Sequence, residues 1–284
     1  MYLVSTDQAG GMRLATIRTD SGTAAVRVDG GVAVETGHRS VDELLADTDW
    51  SGRAAAADGP KHTLDEVDYA PLVVRPEKVI CVGLNYLDHI AETGRERPSH
   101  PTLFPKFANT LVGAHDPIVL PHDDESTSVD WEAELGLVIG RPVRRATPEQ
   151  AAASIAGYTV VNDISVRDFQ RHTAQFMPGK AWECTTPVGS HLVTADEAGA
   201  PEFDISCQVD GEVMQSSNTR ELCFGPIELV QYISTFTTLV PGDLIVTGTP
   251  GGVGVARDPQ LFLRRGQTVV TRIAGVGECR NVCV

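Results

Sequence analysis

From Val129 to Gly140 the chain reads VDWEAELGLVIG, so that Asp130, Glu132 and Glu134 alternate with Trp131, Ala133 and Leu135. Strict alternation of polar and apolar residues predicts a β-strand with two unlike faces. Successive carboxylates on the polar face then stand about 7 Å apart. Beyond Glu134 the run Leu135, Leu137, Val138, Ile139 is apolar, so the strand continues into a core. Like charges beside a buried segment repel one another and resist desolvation. Either the acidic face is solvated, or a cation sits over it. With oxygen ligands only, Mg2+, Mn2+ or Ca2+ suits such a site.

The same patterning divides the rest of the chain. Residues 1–75 read as a small α+β unit. It has short strands at Met12 to Ile17, Ala24 to Val28 and Val32 to Val34, a helix capped by Ser40 and Glu43, and a loop at Ala54 to Pro60. A second unit spans residues 76–284. Strands are predicted at Lys78 to Val82, Thr102 to Phe107, Pro117 to Leu120, Tyr158 to Val161, Ile205 to Val209, Glu212 to Met214, Leu244 to Val246 and, closing the sheet, Val269 to Ile273. Asp210-Gly211 signals a hairpin turn. Helices are predicted after Asn85, from the capping box Thr147-Pro148-Glu149-Gln150 to a stop at Gly157, and from Gly225-Pro226 with Ile227, Val230 and Ile233 on one stripe. Ser165 to Gln170 reads as helix or turn, and Gln175 to Gly179 as loop. Repeated βαβ alternation is absent, which argues against a doubly wound parallel fold. The expectation is a mainly β architecture with short helices outside.

Composition narrows the function. At 284 residues and 42% hydrophobic content the chain has material for a large core. A net charge of −15 and 6% aromatic residues argue against nucleic-acid and anionic-membrane partners. Six scattered cysteines form no C-x-x-C pair, and neither a secretory signal nor an eighteen-residue apolar run is present. A reduced, cytoplasmic protein is the expectation.

Candidate chemistry gathers in the second unit. Asp163 ends an apolar strand, with Arg167, Gln170 and Lys180 following it. Carboxylates followed by Arg, Gln and Lys suit a metal that binds an anionic, oxygen-rich ligand. Taken alone, Asn162-Asp163 is equally a turn. The run Thr247 to Gly254 matches neither phosphate-loop pattern and reads as a tight loop bringing backbone and the Thr249 hydroxyl to a ligand. His89 and Glu92 are three apart, so on a helix they share a face, as a base and its orienting carboxylate would.

Together these stretches resemble the fumarylacetoacetate hydrolase family. The resemblance rests on Gly83-Leu84-Asn85-Tyr86 with His89 and Glu92, on Asp130 to Leu135, on Asn162 to Gln170, on Lys180, and on Pro241-Gly242-Asp243 through Thr247 to Pro250 and Gly254. It implies a mixed β-sandwich roll, usually a homodimer, with Mg2+ or Mn2+ in the site and Ca2+ as a substitute. By the family's pattern Glu132, Glu134 and Asp163 are the metal ligands, and Asp130 supports them. His89 and Glu92 match the catalytic pair on a lid segment. Arg167, Gln170, Lys180 and Thr249 match positions that contact substrate or stabilise charge. Glu183 and Ser190 depart from the pattern and are expected to reshape substrate fit. The implied reaction is metal-dependent C–C hydrolysis of a 2,4-dioxo acid such as an acylpyruvate or fumarylpyruvate, releasing pyruvate. Oxaloacetate-type decarboxylation and 2-hydroxydienoate isomerisation are the alternatives on the same metal–enolate site. A non-catalytic protein with a structural cation is the reading from another class.

Overall fold

The computed structural model describes residues 11–87 and 96–284. The acidic strand of the sequence is interrupted. Val129–Asp130 pairs with Ser165–Val166 as a short ladder of its own, and the main strand restarts at Ala133 and runs to Ile139. Trp131 and Glu132 lie in the gap between them. Ala133–Ile139 is buried along its whole length. Leu135, Leu137 and Ile139 enter one core and Val138 enters a second on the opposite face. A strand covered on both faces reads as a continuous apolar run, which is why the alternation fades after Glu134.

That strand sits inside an eleven-stranded sheet. In spatial order its members are Lys61–Thr63, Val32–Glu35, Gly22–Asp29, Arg13–Thr19, Leu192–Thr194, Ile155–Asn162, Ala133–Ile139, Leu244–Val246, Val79–Gly83 and Thr102–Lys106, with Asp68–Tyr69 added beside Arg13–Thr19. Neighbours run antiparallel except Leu244–Val246 against Val79–Gly83. A four-stranded sheet, in the order Glu212–Asn218, Asp204–Val209, Thr268–Ile273, Gly277–Val282, packs over Ala133–Ile139 and Ile155–Asn162. The larger core fills the space between these sheets and the helix Pro226–Phe236. The fold is mainly β with short helices, a sandwich-like roll. Residues before 76 form a small core around Ile17, Val26 and Tyr69, and their strand Arg13–Thr19 bonds to Leu192–Thr194, so both stretches contribute to one sheet.

Several local expectations change. Gly157 does not stop a helix. The helix Pro148–Ser154 ends at once in a strand, and a Cβ at Gly157 would lie 2.1 Å from the Val193 carbonyl oxygen, so the glycine permits close strand approach. Pro117 to Leu120 makes a single bridge, Ile118 to Cys283, with the Ile118 and Leu120 N–H groups donating to the Val282 and Val284 carbonyls. Met177–Lys180 is a helical turn instead of loop, and the helix Trp50–Ala55 reaches into the loop expected from Ala54. Ile227 is 40% exposed, and the buried stripe of its helix is Leu229, Val230 and Ile233. Thr268–Ile273 does not close its sheet, since Gly277–Val282 lies outside it.

Candidate active site and metal centre

The acidic residues converge because three local features hold them. Asn162, at the end of the strand Ile155–Asn162, accepts the Glu132 N–H on Oδ1 (2.9 Å) and donates through Nδ2 to Thr271 Oγ1 (2.8 Å). The Asp163 N–H donates to the Glu132 carbonyl. The Gly248 N–H donates to Glu134 Oε2. Glu132, Glu134 and Asp163 thereby offer oxygens all within 4.8 Å of one another, and all three are buried. The solvated acidic face is ruled out. Asp130 takes a separate place. It accepts N–H bonds from Trp131, Gly254 and Val255 and pairs with Arg167 Nε at 2.8 Å, so it anchors the arginine and the glycine-rich loop.

Cations are threaded between these carboxylates. Lys180 Nζ lies 2.7 Å from both Glu132 Oε2 and Asp163 Oδ2. Lys106 Nζ donates to Asp163 Oδ1 (2.6 Å) and to the Ile164 carbonyl (3.0 Å). Arg167 Nη1 lies 2.6 Å from Glu132 Oε1. Burial alone would lower the Lys180 and Arg167 pKa values, but Asp163 and Glu132 outweigh it at Lys180, and Asp130 and Glu132 do so at Arg167. Both stay charged. Glu134 is the reverse case. Burial first, then Asp163 and Glu132, push its carboxyl well above the usual range.

Four carboxylates therefore face three cations, with one negative charge left over. A divalent ion shared by Glu132, Glu134 and Asp163 would relieve the repulsion at Glu134, which has no ammonium or guanidinium partner among the described residues, and would turn the balance to one positive charge. The donors are hard oxygens, as Mg2+, Mn2+ and Ca2+ require. The residues fit such an ion.

Beside the cluster opens a cavity of about 610 Å3. Glu132, Arg167, Gln170, Lys180 and Thr249 line it together with Arg171, and Val82, Leu84, Phe104, Phe176, Val253 and Val255 form its apolar wall. Arg167 and Arg171 stand four residues apart around the helical turn Arg167–Gln170, so they share a face. Arg167 Nη2 is buried and unpartnered among the described residues. Gln170 Oε1 accepts from Arg167 Nη1 (3.0 Å), which leaves the Gln170 amide N–H groups to donate.

Other expectations land elsewhere. His89 and Glu92 lie outside the described residues. Asn85 precedes a stretch that lies outside the described residues from residue 88 to residue 95. Its amide donates to the Phe224 and Thr247 carbonyls and accepts the Phe224 N–H, stapling two loops beneath the site. Glu183 accepts from Asn109, and Ser190 bonds His191 Nδ1, so neither lines the cavity. Lys106 and Gln215 carry more of the site than the sequence reading gave them. Gln215 joins Ala133 to Thr249 and Pro250. A lone lysine in a predicted strand was the only signal for the first, and Gln215 gave none.

Comparison with known proteins follows the same boundary as the site. The family model described as fumarylacetoacetate (FAA) hydrolase C-terminal matches residues 78–284. The mitochondrial oxaloacetate tautomerase FAHD2A of Bos taurus is 45% identical over 235 residues, covering 82% of this chain and 74% of its own. Its Homo sapiens counterpart is 43% identical with the same coverage. Among solved structures, a fumarylacetoacetate hydrolase from Exiguobacterium antarcticum superposes with a TM-score of 0.86 at 31% identity, over 96% of this chain and 99% of that one. A 5-carboxymethyl-2-hydroxymuconate delta-isomerase from Mycobacterium smegmatis gives 0.80 at 33% identity over the same shares.

Proposed function

The chain belongs to the fumarylacetoacetate hydrolase family, and we propose that it interconverts the enol and keto forms of a short 2-oxo dicarboxylate of the oxaloacetate kind. The observation that carries the reading is the charge layout of the cavity: one carboxylate, Glu132, against Lys180, Arg167 and Arg171 on its wall. A dianion is the substrate that such a wall accepts. Relatives named oxaloacetate tautomerases, at 41–45% identity, support the same choice.

Bound by Glu132, Glu134 and Asp163, a divalent cation of the Mg2+ or Mn2+ type supplies Lewis-acid polarisation of a 2-oxo group. The chain's own groups do the rest. Arg171 meets the distal carboxylate at the open side. Arg167 Nη2 and the Gln170 amide donate to the proximal end. Lys180, an ammonium at rest, is the described group placed to give a proton to the enol carbon and to recover one from the enol oxygen, so that it ends as it began. Tautomerisation moves one proton from oxygen to carbon and consumes nothing. The apolar wall excludes the water that would otherwise compete.

The test is the ultraviolet decay of enol-oxaloacetate with Mg2+. Addition of the protein should speed it by at least about 10²-fold without release of carbon dioxide or pyruvate. A decay no faster than buffer overturns the reading, and carbon dioxide release would move it to the decarboxylase.

Hydrolysis of a 2,4-dioxo acid is the second reading, favoured by the His89 and Glu92 spacing and by the hydrolase from Exiguobacterium antarcticum. In it His89, assisted by Glu92, activates the water that attacks the C4 carbonyl, with Lys180 and Gln170 stabilising the oxyanion. Pyruvate formed in step with acylpyruvate loss, and abolished by His89→Ala, would establish it. The homodimer and the cytoplasmic location belong to the same proposal. Light scattering and cell fractionation check them; the tautomerase relatives are themselves named mitochondrial.

A further inference from the structure

We infer that Gln215 is a positioning residue that turns the Thr249 hydroxyl into a hydrogen-bond donor for substrate. This rests on the cavity being the substrate site, as proposed above. Gln215 is 1% exposed and sits on Glu212–Asn218, a strand of the second sheet. The register against Asp204–Val209 slips between Cys207 and Gln208, and at this bulge Met214 and Gln215 are buried in succession where alternation would send one of them out.

The orientation of the Gln215 amide follows from its backbone partners. The Ala133 N–H only donates, and it reaches Oε1 at 2.9 Å. The Pro250 carbonyl only accepts, and it receives Nε2 at 2.9 Å. Oxygen and nitrogen cannot be exchanged without breaking both bonds. Nε2 therefore donates its second hydrogen to Thr249 Oγ1 at 2.7 Å. A hydroxyl that accepts from an amide must give its own hydrogen elsewhere. Among the described residues no acceptor takes it, and Thr249 lines the cavity. The free O–H is thus a donor poised for a carboxylate or enolate oxygen.

Gln215 also fixes where that donor stands. Ala133 is the peptide between Glu132 and Glu134, so one side chain ties the acidic strand to the loop bearing Thr249. The loop is seated on the same strand. Gly252 has φ +98, and a Cβ there would lie 2.3 Å from the Met214 carbonyl.

Oxalate is the probe, measured by calorimetry on the Mn2+-loaded protein. Gln215→Glu keeps the acceptor for Ala133 but draws the Thr249 hydrogen to itself. It should weaken oxalate about tenfold, as Thr249→Val should, the worth of about one hydrogen bond. The double variant should be no worse than Thr249→Val, and Thr249→Ser should bind as the wild type. Mn2+ affinity without oxalate should stay within about twofold, which a merely structural role would not predict. Gln215→Met supplies a second variant without a buried charge, and should lose a smaller share of affinity. Unchanged oxalate affinity in both Gln215 variants, single losses that multiply in the double variant, or a wild type that binds no oxalate would each overturn the inference. Intact oxalate binding without turnover of enol-oxaloacetate would instead sink the proposed reaction and leave Gln215 in its role.

Discussion

Lys106 and Asp163 are both shut off from solvent, 2.6 Å apart. Removing Lys106 would strip Asp163 Oδ1 of its ion-pair partner while Oδ2 keeps Lys180, at a cost near the lower end of roughly 3–5 kcal/mol. Lys106→Met should lose about that much in urea unfolding of the metal-free protein, and added Mg2+ should recover part of it. His191 carries a pH dependence away from the site. Burial, then Arg13 and His115, lower its pKa to about 4, while Nδ1 stays with Ser190 Oγ at 2.7 Å and Nε2 has no partner among the described residues. The unfolded chain, with an ordinary value near 6.5, binds the proton that the folded state refuses. Stability is therefore intact above about pH 6.5 and falls as the pH drops to about 4, by roughly 3 kcal/mol. Unfolding titrations of His191→Gln and the wild type should differ by that slope in that window. A flat difference would place the acid sensitivity elsewhere. At this scale the carboxylates were legible because charged residues break an apolar pattern visibly. Lys106 was not, because burial of a lysine depends on a partner 57 residues away.

The capping box at Thr147 and Gln150 was legible in full, and both of its bonds are present. Its signal lies within four residues and needs no tertiary partner. Thr147→Ala should cost about 1 kcal/mol, read as a lower midpoint in denaturant with an unchanged slope. The Asp210-Gly211 turn was legible for the same reason, with positive φ at both residues. The acidic strand was legible in type and in face but not in its break at Trp131 and Glu132. That break depends on Asn162 capturing the Glu132 N–H from another strand. The reach of Glu212–Asn218 beyond Met214 was hidden likewise, since a bulge cancels the period of two on which the reading depends. Local chemistry writes itself into sequence, whereas interruptions imposed by a neighbour do not.

Across the molecule a net charge of −15 gathers in part at one point, where an excess carboxylate is held among three cations. Cation binding to the folded state should raise stability by about 2.7 kcal/mol at a hundred times the dissociation constant. The midpoint of thermal unfolding should climb with added Mn2+ and return on EDTA. Glu134→Gln should abolish the climb, and a protein whose melting ignores Mn2+ would refute the ligand set. The order of the large sheet was beyond sequence reading, because Arg13–Thr19 pairs with Leu192–Thr194 across more than half of the chain, and no local pattern records such a partner. That pairing has a further consequence. Expressed without its first 75 residues, the remainder would present the raw flank of Leu192–Thr194, a template for stray strands. Such a fragment should clump in dynamic light scattering while the full chain stays dispersed. The leading segment would then be a selvedge for the catalytic cloth, keeping it from fraying into its neighbours.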